Sequence, residues 1–248
     1  MKRKLAIISF LLFFISCEKP VDCIKSTGQI RSKVFDGLAF DNIIVNKGIG
    51  LVITQGDTYK VEVKAGENLI SDIEVKVTDR TLRLEDNTSC NWTREYGATI
   101  VYVTAPNLNE IYSKTEKPII SNGVLTFPNL RLIAMDDYDG INGIATGDWI
   151  IKVNNQNLTI DCNNVSGFFI TGTVDNAHVN FYESGGIFHG EQLLCDDISV
   201  YHRGTNNLIV HPIHSLKGDI YNIGNVISVT RPPGVEVNRH YKGQLLFY

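Results

Sequence analysis

From about Pro106 to Pro233 the chain repeats one plan of hydrophobic and polar positions with a period near 20 residues. A triplet with an apolar centre is followed by a polar turn, a second apolar site and another turn. The triplets are Glu110-Ile111-Tyr112, Arg131-Leu132-Ile133, Asn157-Leu158-Thr159, His178-Val179-Asn180, Asp197-Ile198-Ser199 and Asp219-Ile220-Tyr221. Their centres lie 21, 26, 21, 19 and 22 residues apart. The second sites are Ile119-Ile120, Ile141, Phe168-Phe169, Ile187-Phe188, Leu208-Ile209 and Val226-Ile227. A fixed period in this range marks a solenoid. One rung cannot bury its apolar side alone, whereas stacked rungs share a continuous core. The pattern therefore predicts an all-β, parallel β-solenoid (β-helix-like) of about six rungs, with rungs and C-terminal cap over residues 106–248. Turns such as Asn163-Asn164, Ser184-Gly185-Gly186 and Gly204-Thr205-Asn206-Asn207 carry residues that tolerate left-handed backbone. The long step holds Gly140 to Asn157, which places an insertion or extra hairpin around Trp149.

The stretch before the repeat, residues 33–105, also reads as strands. Ile43–Val45 and Ile49–Thr54 are β-branched runs around a turn at Asn46-Lys47-Gly48. Tyr59–Lys64, Ile73–Val77 and Thr81–Glu85 alternate apolar and polar, the period-2 pattern of a half-buried strand. Asp79-Arg80 joins the last two. Thr99–Thr104 adds another strand. Asn68-Leu69-Ile70 suggests a single helical turn, and no longer helix is evident. Residues 33–248 are expected to form one domain.

The first 16 residues do not belong to it. Lys2, Arg3 and Lys4 precede an apolar run from Leu5 to Ile15, broken only by Ser9. The run is too short to span a bilayer, which takes about 20 residues, and it reads as a signal peptide. It ends Phe14-Ile15-Ser16-Cys17, which resembles the lipobox of bacterial lipoproteins. That resemblance implies cleavage before Cys17 and lipid attachment to it, with residues 17–32 as a polar tether. Cleavage would leave 20 Lys and Arg against 27 Asp and Glu, a net charge of −7. An acidic chain is unsuited to nucleic acid, whose phosphates require a basic face.

Five cysteines need partners or places. Cys23 in the tether and Cys90 in a polar loop are expected to pair, since disulfides persist in exported proteins. Cys162 and Cys195 fit small buried hydrophobes. His211-Pro-Ile-His214 lacks the further ligands a zinc site needs, and Pro212 disfavours a helix. Asp136-Asp-Tyr-Asp-Gly140 lacks the closing Glu of a calcium loop. No metal and no cofactor are expected.

One outer face concentrates chemistry. Asn157, His178, Asp197 and Asp219 are expected to align on successive rungs, with the two acids one strand spacing apart, about 4.8 Å. Paired carboxylates of this kind serve glycoside hydrolysis. Tyr182 and Tyr201 fall three residues after their rung anchors and are expected to stack, with Tyr138 and Tyr221 nearby, as a surface for sugar rings or as packing alone.

Phe40-Asp-Asn-Ile43, with Val45, Gly48, Val52, Ile53, Gln55 and Gly56, resembles the opening of the bacterial "putative auto-transporter adhesin, head GIN domain" family. Asp79 to Leu84, Ala105-Pro-Asn-Leu-Asn-Glu-Ile111, and Gly218-Asp-Ile-Tyr221 with Gly224 and Asn225 extend the resemblance over about residues 34–230. It implies an all-β solenoid-like fold, secretion in bacteria of the Bacteroidetes type and frequent lipid anchoring, and it brings no catalytic residues. The rungs here carry bulky Tyr, Phe and His where members are often Gly/Ser-rich. The combined expectation is a non-enzymatic cell-envelope lipoprotein for adhesion or interaction. It would be held to the membrane by its lipid and would meet a glycan or protein at the cell surface. The alternatives are a carbohydrate-binding or carbohydrate-active protein and a structural, oligomeric envelope component.

Overall fold

The computed structural model describes residues 27–88, 99–138, 141–142, 145–183 and 185–248. The expected signal peptide, Cys17 and the Cys23–Cys90 pair lie outside the described residues. The strands are β1 (Ile30–Asp36), β2 (Asn42–Val45), β3 (Gly50–Gln55), β4 (Lys60–Gly66), β5 (Ile73–Thr78), β6 (Thr81–Asp86), β7 (Ile100–Ala105), β8 (Glu110–Ser113), β9 (Ile119–Leu125), β10 (Asn129–Ala134), β11 (Asp137–Tyr138), β12 (Ile141–Asn142), β13 (Trp149–Cys162), β14 (Gly167–Phe181), β15 (Ile187–His189), β16 (Leu193–His202), β17 (Leu208–Val210), β18 (Pro212–Ile220), β19 (Val226–Ser228), β20 (Gly234–Arg239) and β21 (Leu245–Phe247). No helix occurs among the described residues; Asn68 to Ile70 forms a turn whose amides bond back to the Gly66 carbonyl. Nineteen strands make one sheet, and β11 and β12 form a separate hairpin inside the long step.

That sheet curls around one core, and its pairing falls into two long ladders. Ladder A runs β6–β2–β8–β10–β13–β14–β16–β18–β20, every neighbour parallel. Ladder B runs β7–β3–β9–β13–β14–β15–β17–β19–β21, also parallel throughout. The chain visits the two in turn, and the long strands β13 and β14 serve both. Antiparallel β5, β4 and β1 cover the β6 and β7 edges. β1 takes in Ile30, Arg31 and Ser32, three residues expected in the tether.

Within residues 33–105, β2, β3, β6 and β7 lie in the same ladders as the later strands, with Ile43 between Leu82 and Ile111. The first two triplets align centre on centre, Ile111 with Leu132, but the later ones do not. Leu132 pairs with Ile160 rather than Leu158, Val179 with Val200 rather than Ile198, and Ile198 with Leu216 rather than Ile220. A slip of two or four residues keeps every side chain on its own face, because the strand period is two. The hydrophobic pattern alone therefore cannot detect it.

The core fills from both ladders. Ile43, Ile111, Leu132, Ile160 and Val179 project from A, and Leu51, Ile119, Trp149, Phe168, Phe188 and Leu208 from B, all buried. Each contributes about 1.5–3 kcal/mol by leaving water. Trp149 holds the core position expected of Ile141, stacked on Phe168 with centroids 5.5 Å apart. At the hairpin of β5 and β6, Asp79 and Arg80 both take positive φ, 47° and 58°, as a two-residue type I′ turn requires. The Arg80 guanidinium grips the Asp41 carboxylate through Nε and Nη2 and holds that carboxyl below its usual range. Leu245–Phe247 pairs with β19 as a last strand. At that end Arg239 takes the inward position that follows Ile220, and Arg231 lies over the Phe247 ring. Charge at a sheet edge blunts it against pairing with other chains.

Candidate functional site

The outward face of ladder A carries the residues singled out from sequence, in columns other than those expected. Asp197 stands between Asn176 and Ser215, His178 between Thr159 and Ser199, and Asp219 between Tyr201 and Asn238. Asn157, His178, Asp197 and Asp219 thus share a face but form no single column. The two acids do not make a pair. Asp197 accepts a hydrogen bond from the Ser215 hydroxyl, and Asp219 meets His240 Nε2 at 2.7 Å.

The tyrosines do come together. Tyr182 and Tyr201 have ring centroids 5.5 Å apart, and Tyr201 and Tyr221 5.1 Å. Tyr221 then stacks on His240 at 4.2 Å with planes 6° apart. This four-ring ladder crosses four neighbouring strand levels. Tyr221 and His240 turn their faces to each other, so their edges and polar atoms meet solvent. Tyr221 remains 38% exposed. The Tyr138 side chain lies outside the described residues. His240 escaped notice in the sequence, although residues 182, 201, 221 and 240 repeat at intervals of 19, 20 and 19.

At one end the ladder is fixed by a group that sequence inspection missed. Asp161 on β13 has a side chain only 2% exposed, although it faces outward. Arg131 Nε donates to its Oδ2 at 2.6 Å, and Asn180 Nδ2 and the Tyr182 hydroxyl donate to Oδ1 at 3.0 and 2.9 Å. Arg131 also reaches Glu110 at 3.3 Å. Burial, and then the bond to the Asp161 anion, push the Tyr182 hydroxyl up to about 12. A buried carboxylate persists where such bonds satisfy it. Beyond Asp161 the same column is apolar, with Ile133, Tyr112 and Ile44 in a small outer cluster.

The other candidate groups are structural. His202 fills an inward position, where burial lowers its imidazole to about 4. Its Nδ1 accepts from the Gly204 amide and its Nε2 donates to the Asn206 carbonyl, which shapes the following turn. Cys162 and Cys195 are buried free thiols, as expected, and burial pushes both up to about 12. His211 contacts the Glu191 carbonyl, while His214 lies 3.6 Å from Asp196. Among the described residues no three His, Cys, Asp or Glu groups converge as a metal site. Asp136 accepts a hydrogen bond from Asn164, and the side chains of 137–140 lie outside the described residues.

A family model described as "Putative auto-transporter adhesin, head GIN domain" matches residues 39–232. A "putative adhesin" from Bacteroides fragilis has a similar solved structure, with a TM-score of 0.78 at 17% identity, covering 90% of this chain and 100% of its own. A "putative adhesin" from Parabacteroides distasonis matches with a TM-score of 0.66 at 17% identity, over the same shares. A protein from that species described as a "putative lipid binding protein" gives 0.64 at 14%, covering 90% and 99%. At these identities the likeness is one of fold. No curated protein matches the chain.

Proposed function

The chain belongs to the "Putative auto-transporter adhesin, head GIN domain" family, and on that premise we propose that it is a non-enzymatic adhesion module of the cell envelope. Its body is a β-solenoid, a reading supported by the two parallel ladders, with β2, β3, β6 and β7 adding coils to the six expected. Cys17 carries the lipid that holds it to the membrane, and a Cys23–Cys90 bridge clamps the tether to the domain. The outer face of ladder A meets a glycan or protein at the cell surface. The observation that carries this reading is the Tyr182–Tyr201–Tyr221–His240 ladder. It is a rigid row of aromatic edges and polar atoms at strand spacing, with Asp219 and Asn180 beside it. Pre-ordered aromatic side chains give contact area at little entropic cost. Mutual stacking hides ring faces, so this surface suits hydrogen bonding to ring edges better than insertion of a sugar between rings. The carbohydrate-active alternative loses its main support, because Asp197 and Asp219 occupy different columns.

Bacteria producing the chain should adhere to surfaces coated with a panel of glycans or of cell-surface proteins. Tyr201→Ala/Tyr221→Ala should weaken that adherence about tenfold, the effect of losing roughly 1.4 kcal/mol of contact. Adherence by the double variant equal to that of the parent, at equal surface amounts, would overturn the assignment of this face.

A further inference from the structure

On the far side of the core, the outward face of ladder B bears a second row that the adhesion reading leaves unused. Val52, Ile120, Ile150, Phe169, Ile209 and Ile227 occupy one outward column on successive strands, interrupted once by His189 between Phe169 and Ile209. Tyr102 extends the column at one end and Leu246 at the other. None of these side chains is in the core. Ile150 is 47% and Leu246 40% exposed. Single exposed apolar residues are ordinary, but a contiguous patch marks an interaction surface.

The geometry points to a second copy of this chain as the partner, docked face to face across ladder B about a two-fold axis through Phe169. Three features favour that occupant. Length is the first: nine strand levels at about 4.8 Å make a stripe of roughly 38 Å, which only a partner with an equally long flat apolar row can cover. Area is the second. A band about five residues wide along that stripe is roughly 650 Å² per copy, near 1,300 Å² in all, within the range of stable interfaces.

Charge is the third. A two-fold axis lying along the strand direction reverses the order of levels and keeps each flank against itself. Phe169 then meets its own copy, and Ile150 faces the partner's His189. Lys152 stands two residues beyond Ile150, exposed and outward. Glu191 lies exposed in the turn that follows β15, its carboxylate 3.4 Å from the His189 ring. The axis therefore sets Lys152 against the partner's Glu191, and Glu191 against the partner's Lys152. Two sheet faces pack in this way with their strands nearly aligned. The proposal does not depend on the adhesion reading, and it leaves the ladder A face open.

The test is sedimentation velocity on the full chain carrying Cys17→Ala, so that no acyl chain contributes to association. The chain should be dimeric. Ile150→Asp should dissociate it, and Lys152→Glu or Glu191→Lys alone should each weaken the dimer at least tenfold. Lys152→Glu/Glu191→Lys together should restore it, which a loss of folding could not mimic. A chain that is monomeric at millimolar concentration overturns the proposal, as does a dimer indifferent to Ile150→Asp. Single charge variants that the double swap fails to rescue overturn the two-fold register. A monomer that instead binds phosphatidylcholine–phosphatidylglycerol vesicles through Ile150 makes the stripe a lipid surface and also overturns it.

Discussion

Gly172→Ala is expected to destabilise the fold by about 3 kcal/mol or more, a backbone effect at the upper end of single substitutions. Gly172 sits where β14 leaves ladder B for ladder A, in register with Val153. Its φ is +119°, and a Cβ added there would lie 1.9 Å from the Val153 carbonyl oxygen. Neither atom can yield without breaking the ladder, because both belong to paired main chain. Gly218 repeats the arrangement against Val200, with φ +133° and the same 1.9 Å approach. Gly123 supplies the control: its φ is +96°, but nothing lies within 4 Å of the added Cβ. Gly123→Ala should lose only the dihedral preference, about 1–2 kcal/mol. Urea unfolding followed by circular dichroism separates the two. Equal losses at Gly172 and Gly123 would mean that the close approach of neighbouring strands is not what fixes this corner.

Asp161→Ala is the second large effect, with an expected loss of about 3 kcal/mol. It takes one carboxylate partner from Arg131 and removes three hydrogen bonds to a buried group. The figure is at the low end for buried pairs because the Arg131 side chain is 32% exposed and keeps Glu110 as a partner. Asp161→Asn should cost less, since it retains an acceptor for Arg131. It should also draw the Tyr182 hydroxyl down from about 12, toward the ordinary tyrosine range, because the Asp161 anion is one of the causes that raise it. Ultraviolet titration of that tyrosine reads the change directly. A Tyr182 titration unaltered by Asp161→Asn, together with an unchanged unfolding midpoint, would show that Asp161 does not fix this end of the aromatic ladder.

Much of this was legible in the chain, for definable reasons. Alternation at Tyr59–Lys64 and Thr81–Glu85 announced the strands Lys60–Gly66 and Thr81–Asp86, whose inward residues are the buried ones. The Asp79-Arg80 turn declared its hairpin. The 20-residue period gave the parallel stacking and the meeting of Tyr182 with Tyr201. What escaped depended on register. A slip of two or four residues is silent in a period-two pattern, so Asp197 and Asp219 looked like neighbours and are not. Asp161 resembles a turn aspartate until β10 and β14 bring Arg131 and Asn180 beside it. The stripe on ladder B was present in the doublets Ile119-Ile120, Phe168-Phe169, Leu208-Ile209 and Val226-Ile227. One member of each faces the core, so the other must face out. β2 and β6 joined the ladder unannounced, because pairing between distant segments leaves no periodic trace.

The Asp161 node, the aromatic ladder and the apolar stripe all rest on the register of the parallel strands. Cysteine cross-linking tests it most directly, in a chain whose five native cysteines are replaced by serine or alanine. Thr159 and His178 are direct partners on β13 and β14, both on the outer face. Thr159→Cys/His178→Cys should oxidise to an intramolecular disulfide in the folded protein. Asn157→Cys/His178→Cys, the pairing that centre-on-centre triplets would give, should stay reduced under the same conditions. Efficient bridging of the second pair in place of the first would contradict the account.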